Sequence, residues 1–385
     1  YDDPESEIQK LMKRYEEEDQ EVSRLFKKVV ELCVDGFRET LSKIGVDFDV
    51  WDWESNVVRE SWVLKILEKA RQTPYFTIYK GAEAIDFSEF YKDPDLVKLF
   101  NLPKAFKIPP MILRRSDGTT LYTTRDVAYS LKKFREYNAD KVINVIAAEQ
   151  RLEQLQVRLS LYALGYKREA MNLIHYAYEM VNMPGVKMSG RRGRYITLDS
   201  LLEEAIARAR EEIRKRRTGL SKEEEDEISK AIGVGALRYA LVSVEADKPL
   251  VFDWDKVLDF EKSSAPYLQY TYVRALNILR KLGEEIRQDK IDYQASKEPL
   301  RRKLLITTAK YTYILEKAAA ELKPELLVDY ITSLADIFNT WYPKDPVIKE
   351  ANEGARYYKA SLVYAIKATI EHVLGILGIP LLEKM

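Results

Sequence analysis

An α/β region followed by an all-α region is the fold class that this 385-residue sequence predicts. Three observations carry the prediction. Between Met111 and Gln150, strand-like and helix-like patterns alternate, which implies a sheet with parallel members. From Lys262 to Met385, amphipathic patterns run on with no strand pattern, the mark of a helical bundle. Between the two regions lies Pro184-Gly185-Val186-Lys187-Met188-Ser189-Gly190-Arg191-Arg192-Gly193-Arg194-Tyr195-Ile196-Thr197, a basic, glycine-punctuated loop after which the pattern is helical.

The elements follow in order. Residues 5–45 read as helices, because Leu25, Val29, Val30, Leu32 and Phe37 recur at helical spacing and Gly45 ends the run. Val46-Asp47-Phe48-Asp49-Val50-Trp51 alternates like a strand, and a helix follows over 56–70. Residues 74–110 are mixed and carry prolines at 94, 103, 109 and 110. The stretch 111–122 reads as a hairpin turning at Asp117-Gly118. A helix starts near Thr124 with Asp126 in its first turn, and Val127, Leu131 and Phe134 share its face. Residues 141–148 form a buried strand, and a helix begins near Gln150. The helix over 198–218 is very basic: from Lys187 to Arg217 basic residues outnumber acidic ones two to one. The acidic run at 222–227 is a solvated turn or helix end, and Ser264 with Pro266 starts a further helix.

Composition excludes several classes. Hydrophobic residues make up 46%, enough for real cores, and 62 basic residues balance 62 acidic ones. The single cysteine, Cys33, rules out a disulfide framework and a thiolate zinc site, and is expected to be buried and inert. His175 and His372 are too few for a histidine metal cluster and are read as structural. This usage fits a reducing, cytoplasmic compartment. No apolar run reaches the roughly 18 residues of a membrane span. No signal peptide precedes the helices, and a start at Tyr1 suggests a fragment. High Lys and Glu with one Cys points to a thermophilic source.

Four constellations carry chemistry. On the central loop, Lys187, Ser189, Arg191, Arg192 and Arg194 stand without an acidic neighbour and suit a polyphosphate; the alternative is a basic surface loop. Asp126 at a helix start stays ionised and can take a guanidinium fork, with Tyr122 packing on the flat group; the alternative is a capping Asp and a core Tyr. Gln150 lies at the carboxyl end of a strand, where open α/β sheets bind ligands, or is an exposed first-turn residue. Tyr267, Tyr270 and Arg274 share one helical face that suits unstacked bases and phosphates, or packs inside the bundle.

Taken together, these motifs resemble the arginyl-tRNA synthetase family of class I over nearly the whole chain. Asp47-Phe48-Asp49-Val50-Trp51-Asp52-Trp53-Glu54-Ser55 is similar to the family's "FDV…ES" segment. Leu121-Tyr122-Thr123-Thr124-Arg125-Asp126-Val127-Ala128 resembles its arginine-recognition block. Lys187-Met188-Ser189 with Tyr195-Ile196-Thr197-Leu198 resembles its KMSKS loop. Ala265-Pro266-Tyr267-Leu268-Gln269-Tyr270 with Arg274 resembles the start of its anticodon-binding domain, and Leu377-Gly378-Ile379 with Glu383-Lys384-Met385 its carboxyl terminus.

The resemblance implies the later part of a Rossmann-type catalytic domain over 1–197, a helical connection over 198–257 and an α-helical anticodon-binding domain over 258–385. It implies that Tyr122 and Asp126 recognise the arginine guanidinium and that Gln150 contacts the amino acid. Lys187, Met188, Ser189, Arg191 and Arg192 would lie on the ATP side, with Lys187 and Ser189 in the catalytic role. Tyr267, Tyr270, Arg274, Arg280, Tyr342 and Met385 would face the anticodon. ATP with Mg²⁺, L-arginine and tRNA-Arg are the implied partners of a monomer without zinc or membrane. Two departures stand out: the family's second loop lysine is Gly190 here, and neither histidine sits in a HIGH-type motif. The half that carries HIGH is therefore expected to be absent, and the chain alone inactive. A non-catalytic tRNA-binding module and another class I synthetase remain the alternatives. The cysteinyl enzyme is one, though its zinc–thiolate selection could not be built from one Cys.

Overall fold

The computed structural model describes residues 3–16, 19–185, 195–217 and 219–385. In chain order the elements are α1 (Pro4–Glu16), α2 (Gln20–Lys43), α3 (Glu54–Arg59), α4 (Trp62–Arg71), β1 (Phe76–Tyr79), β2 (Ala82–Ile85), α5 (Pro94–Leu99), β3 (Met111–Arg114), α6 (Tyr122–Glu136), β4 (Val142–Ala147), α7 (Arg151–Ala163), α8 (Lys167–Asn172), β5 (Leu173–Tyr178) and β6 (Val181–Asn182). There follow α9 (Leu198–Arg216), α10 (Lys222–Val242), β7 (Leu250–Val251), α11 (Trp254–Val257), α12 (Ala265–Leu282), α13 (Pro299–Ala309), α14 (Tyr311–Glu321), α15 (Glu325–Trp341) and α16 (Glu353–Leu377). The α/β-then-α order of the sequence reading stands. The chain divides into two compact units: Val50–Asn182 with Val244–Val251, and Tyr1–Asp49 with Met183–Ser243 and Phe252–Met385.

The first unit holds the sheets. β4 and β5 run parallel, Val142 opposite Leu173 through Ala147 opposite Tyr178, as the strand–helix alternation requires. β1, β2 and β3 form a separate antiparallel sheet, and β6 pairs parallel with β7. The core of this unit includes Phe87, Phe90, Leu113, Val127, Leu131, Val157 and Leu161. Thr124 Oγ1 donates to the Leu113 carbonyl at 2.8 Å, which pins the start of α6 to β3. The expected hairpin at 111–122 shrinks to one bridge between Arg114 and Thr120, with Gly118 at φ +89° in the turn. Tyr122 therefore opens α6 rather than ending a strand, and Asp126 sits one turn inside the helix. The predicted helix over 56–70 is two helices, broken at Ser61, whose φ is +62°.

The second unit is helical. α9 and α10 pack closely: a Cβ on Gly233 would lie 2.7 Å from Ile206 Cγ1. The acidic run at 222–227 is the first turn of α10, where Ser221 and Glu224 make a reciprocal capping box. α16 ends at Gly378, whose φ of +66° favours glycine, and a Cβ there would collide with the Arg238 guanidinium. Arg238 donates to the Leu377 and Ile44 carbonyls, tying α16 and the end of α2 to α10. By length and composition α16 could cross a membrane, although it holds no unbroken apolar run of that length. Half of its apolar window is buried inside the bundle, and Lys359 on it is paired with Asp345 and Glu350.

Two further expectations fail. Residues 46–51 form no strand: Asp47 and Asp52 accept the Phe48 and Trp53 amides, and local side-chain bonds of this kind compete with a ladder. Cys33 is exposed, not buried, because α2 buries Val22 alone. Leu25, Val29, Leu32 and Phe37 form the predicted helix yet stand more than half exposed.

Candidate functional site

The sheet-bearing unit sets the first turns of α6 and α7 side by side. Tyr122, exposed at the start of α6, holds its hydroxyl 3.5 Å from Glu153 Oε1 on α7. The other Glu153 oxygen is buried and makes no hydrogen bond among the described residues. Asp126, one turn along α6, is half-buried, and its Oδ2 lies 3.5 Å from Gln154 Nε2. Burial, then the nearby Glu54 carboxylate, pushes the Asp126 pKa up to about 6, and Lys133 works against the rise. The helix-start argument for an easily ionised Asp126 therefore fails: the residue is past the first turn, and desolvation dominates. Above about pH 6 it is an anion with one oxygen free of the Gln154 contact, poised for a cationic ligand.

Gln150 ends a short 3-10 turn, Ala148–Gln150, and is the N-cap of α7, exposed at the carboxyl end of β4. The structure thus brings Tyr122, Asp126 and the start of α7, one turn from Gln150, to one place. Around them, Arg125 pairs with Glu54 at 2.9 Å. Lys132, almost fully buried, lies 3.1 Å from both Asp52 and Glu60. Burial works against the Lys132 charge, but the bonds to Glu60 and Asp52 outweigh it and hold the ammonium above its ordinary pKa. Sequence reasoning missed Glu54, Glu153 and Gln154. The signal was present for Gln154, which stands four residues after Gln150 on the same face of α7.

Lys187, Met188, Ser189, Arg191 and Arg192 lie outside the described residues. Just after them, Thr197 caps α9 by accepting the Ser200 amide at 3.1 Å.

In the helical unit the predicted aromatic face divides. Ser264 caps α12 and Pro266 sits in its first turn, as expected. Tyr267 is buried and donates to Asp336 Oδ1 at 2.7 Å; burial first, then Asp336, pushes its pKa up to about 12. Its ring is thus packed in the bundle, and Tyr270, which stands 41% exposed, is the accessible ring of the pair. Arg274 lies 4.8 Å over the Tyr270 ring and also donates to Asn339 at 2.6 Å. Tyr270, Met385, Arg216, Arg217 and Phe260 line a cavity of about 420 Å³. Arg280 pairs with Glu383 at 2.9 Å, near the same terminus. Tyr342 stacks on Phe338 and does not line that cavity. His372 meets the Tyr311 hydroxyl, and His175 the Ile146 carbonyl.

Comparison with known proteins matches two family descriptions: "tRNA synthetases class I (R), catalytic domain" over residues 3–254 and "DALR anticodon binding domain" over residues 268–385. The arginine–tRNA ligase of Aeropyrum pernix is 48% identical over 394 residues, taking in 100% of this chain and 60% of that protein. That of Ignicoccus hospitalis is 49% identical over 378 residues, 98% of this chain and 60% of that protein. The solved Thermus thermophilus arginyl-tRNA synthetase superposes with a TM-score of 0.82 at 26% identity, covering 98% of this chain and 68% of that one. The Plasmodium falciparum enzyme, at 17% identity, shares the fold with a TM-score of 0.80, covering 97% and 61%. The chain spans about 60% of the length of these curated relatives.

Proposed function

Because the chain belongs to the class I arginyl-tRNA synthetase family, we propose that it works in joining arginine to tRNA-Arg using ATP. The observation that carries this reading is the half-buried Asp126 carboxylate beside Tyr122 at the meeting of α6 and α7. A desolvated carboxylate with a free oxygen is matched by a guanidinium fork, and the Tyr122 ring offers a face for the planar group. Gln150, at the head of α7, contacts the amino acid. The arginine carboxylate attacks the α-phosphorus of ATP, the bond to pyrophosphate breaks, and arginyl-adenylate forms. The 3′-terminal hydroxyl of the tRNA then attacks the adenylate carbonyl and releases AMP. Catalysis rests on positioning and on neutralising the charge that develops on pyrophosphate. Lys187 and Ser189, with Met188, Arg191 and Arg192, serve that second part, and ATP enters as its magnesium complex.

The family matches, catalytic over residues 3–254 and anticodon-binding over 268–385, support a division of labour, which we draw as catalytic residues over 1–197, a helical connection over 198–257 and anticodon binding over 258–385. Tyr270 and Arg274 form the stacking and cationic pair, Met385 and Arg280 flank it, and Tyr342 lies farther off. Tyr267 supports this face through Asp336. The protein is proposed to act as a cytoplasmic monomer with no zinc.

The test is amino-acid-dependent ATP–pyrophosphate exchange by the intact protein, with tRNA-Arg present, across the twenty amino acids. Arginine alone supports exchange on this reading; exchange with a different amino acid, or with none, overturns it.

A further inference from the structure

Four side chains from three elements form a one-way chain of hydrogen bonds that ends on Asp126. Lys133 Nζ donates to Asn144 Oδ1 at 2.9 Å, Asn144 Nδ2 donates to Gln154 Oε1 at 3.0 Å, and Gln154 Nε2 points at Asp126 Oδ2 at 3.5 Å. The direction is not arbitrary. A lysine ammonium can only donate, so Asn144 must turn its oxygen toward Lys133 and its NH₂ toward Gln154. Gln154 must then answer with its oxygen, which leaves its NH₂ for Asp126. One cation on α6 therefore sets the orientation of an amide on β4 and an amide on α7. Both amides are almost fully buried, at 7% and 3% exposure. Buried amides are costly unless bonded, and chains of such bonds polarise one another.

We propose that Asn144 and Gln154 are positioning residues for substrate recognition: they hold the Asp126 carboxylate by Oδ2 and turn Oδ1 toward the guanidinium of arginine. This rests on the reading of Asp126 as the guanidinium receptor. The last link is long at 3.5 Å, and contacts of this kind tighten once the ligand is bound. Among the described residues, the titratable groups that face Asp126 are Glu54 from α3 and Lys133 and Tyr122 from α6, with Glu153 of α7 beyond Tyr122; Gln154 of α7 and Asn144 of β4 are neutral amides. Lys133 is itself held by Asn144 and by the Tyr129 ring, 4.4 Å away, so its charge reaches Asp126 through the chain as well as through space.

The test is steady-state exchange kinetics of the intact protein with three variants. Gln154→Met keeps the volume and removes the donor. It raises the arginine KM about tenfold, the loss of one charge-assisted bond of about 1.4 kcal/mol, and leaves the ATP KM and kcat within about twofold. It also moves the acid limb of kcat/KM for arginine to higher pH, because the carboxylate loses a donor. Asn144→Asp keeps an acceptor for Lys133 but sets a buried carboxylate against Gln154 Oε1, so Gln154 turns its NH₂ toward that carboxylate and away from Asp126, and the arginine KM rises while the ATP KM does not. A structural role for these amides would instead lower Tm and leave the arginine and ATP constants moving together, which would overturn the proposal. Asp126→Asn separates the two levels. If it leaves the arginine KM unchanged, the receptor reading fails. If it raises that KM while Gln154→Met does not, the receptor stands and the positioning role fails.

Discussion

On the proposed function Asp126 is the residue on which recognition turns, and its environment fixes how it behaves. Its carboxylate is made costly by burial and by Glu54, so the proton is held up to about pH 6. A guanidinium favours the anion, so binding must displace that proton below pH 6. The arginine KM should therefore rise as pH falls through 6 and level off above it, with the ATP KM following a different curve. Asp126→Asn should raise the arginine KM at least about tenfold, since a desolvated charged fork is worth roughly 1.5–3 kcal/mol. The same change should stabilise the ligand-free protein at neutral pH. A group whose native pKa is raised contributes stability below its unfolded value, about 3.9, and loses it as pH rises through 6. A melting curve at pH 7 that falls for Asp126→Asn would contradict that sign. The guanidinium role was legible in the sequence, but the raised pKa was not, because the sequence marked Asp126 as a helix-start residue. Only burial, and a carboxylate 72 positions earlier in the chain at Glu54, reverses the reading.

At the scale of elements, patterns with one dominant period were readable. β4, α7 and α9 fall where alternation and helical spacing put them, but β4 is not the buried strand expected, because Ile143 and Val145 stand exposed. The stretch 46–51 was not, because Asp47, and Asp52 just after it, satisfy nearby amides and its alternation finds no partner strand. Periodicity also gave α2 its apolar side without saying what covers it; Leu32 and Phe37 on that side are exposed. The chain of amides behind Asp126 could not be read, because it exists only where α6, β4 and α7 meet. The same limit hides the ionic clamp of the helical unit. Asp345 receives Arg301 from α13 at 2.6 Å, Lys359 from α16 at 2.5 Å and Trp341 Nε1 from α15 at 2.8 Å. Burial disfavours its charge, yet these donors outweigh it and hold its pKa down to about 2. The clamp's contribution is fully present above pH 4 and is lost as pH falls toward 2. Asp345→Ala leaves Lys359, nearly inaccessible, with Glu350 as its one paired carboxylate and a weak bond to the Pro346 carbonyl, and should cost about 3–5 kcal/mol, the range for breaking a buried pair. Chemical denaturation at pH 7 measures it; a loss under about 1 kcal/mol would mean the clamp is solvated and weak.

At the scale of the whole molecule, the proposed function gives one unit the amino acid and the other the nucleic acid. The chain's net charge of zero hides this, because charge is distributed locally. Binding to tRNA-Arg should weaken as salt rises, since each phosphate contact releases counterions. Tyr270→Ala should remove about 1–3 kcal/mol of base stacking, and Arg274→Ala a cationic contact that flattens the salt slope. Anisotropy titrations at two salt concentrations read both; unchanged affinity for Tyr270→Ala would move the interface elsewhere. The central claim, that a carboxylate on α6 selects the guanidinium, is tested most directly by charging tRNA-Arg with the intact protein in arginine and in citrulline. The two differ by one neutral urea in place of the cation. The account predicts that arginine is favoured on the order of 10⁴-fold, as sites built around a substrate's polar groups discriminate, and that Asp126→Asn narrows the gap. Comparable charging of both, or a gap untouched by Asp126→Asn, would contradict it.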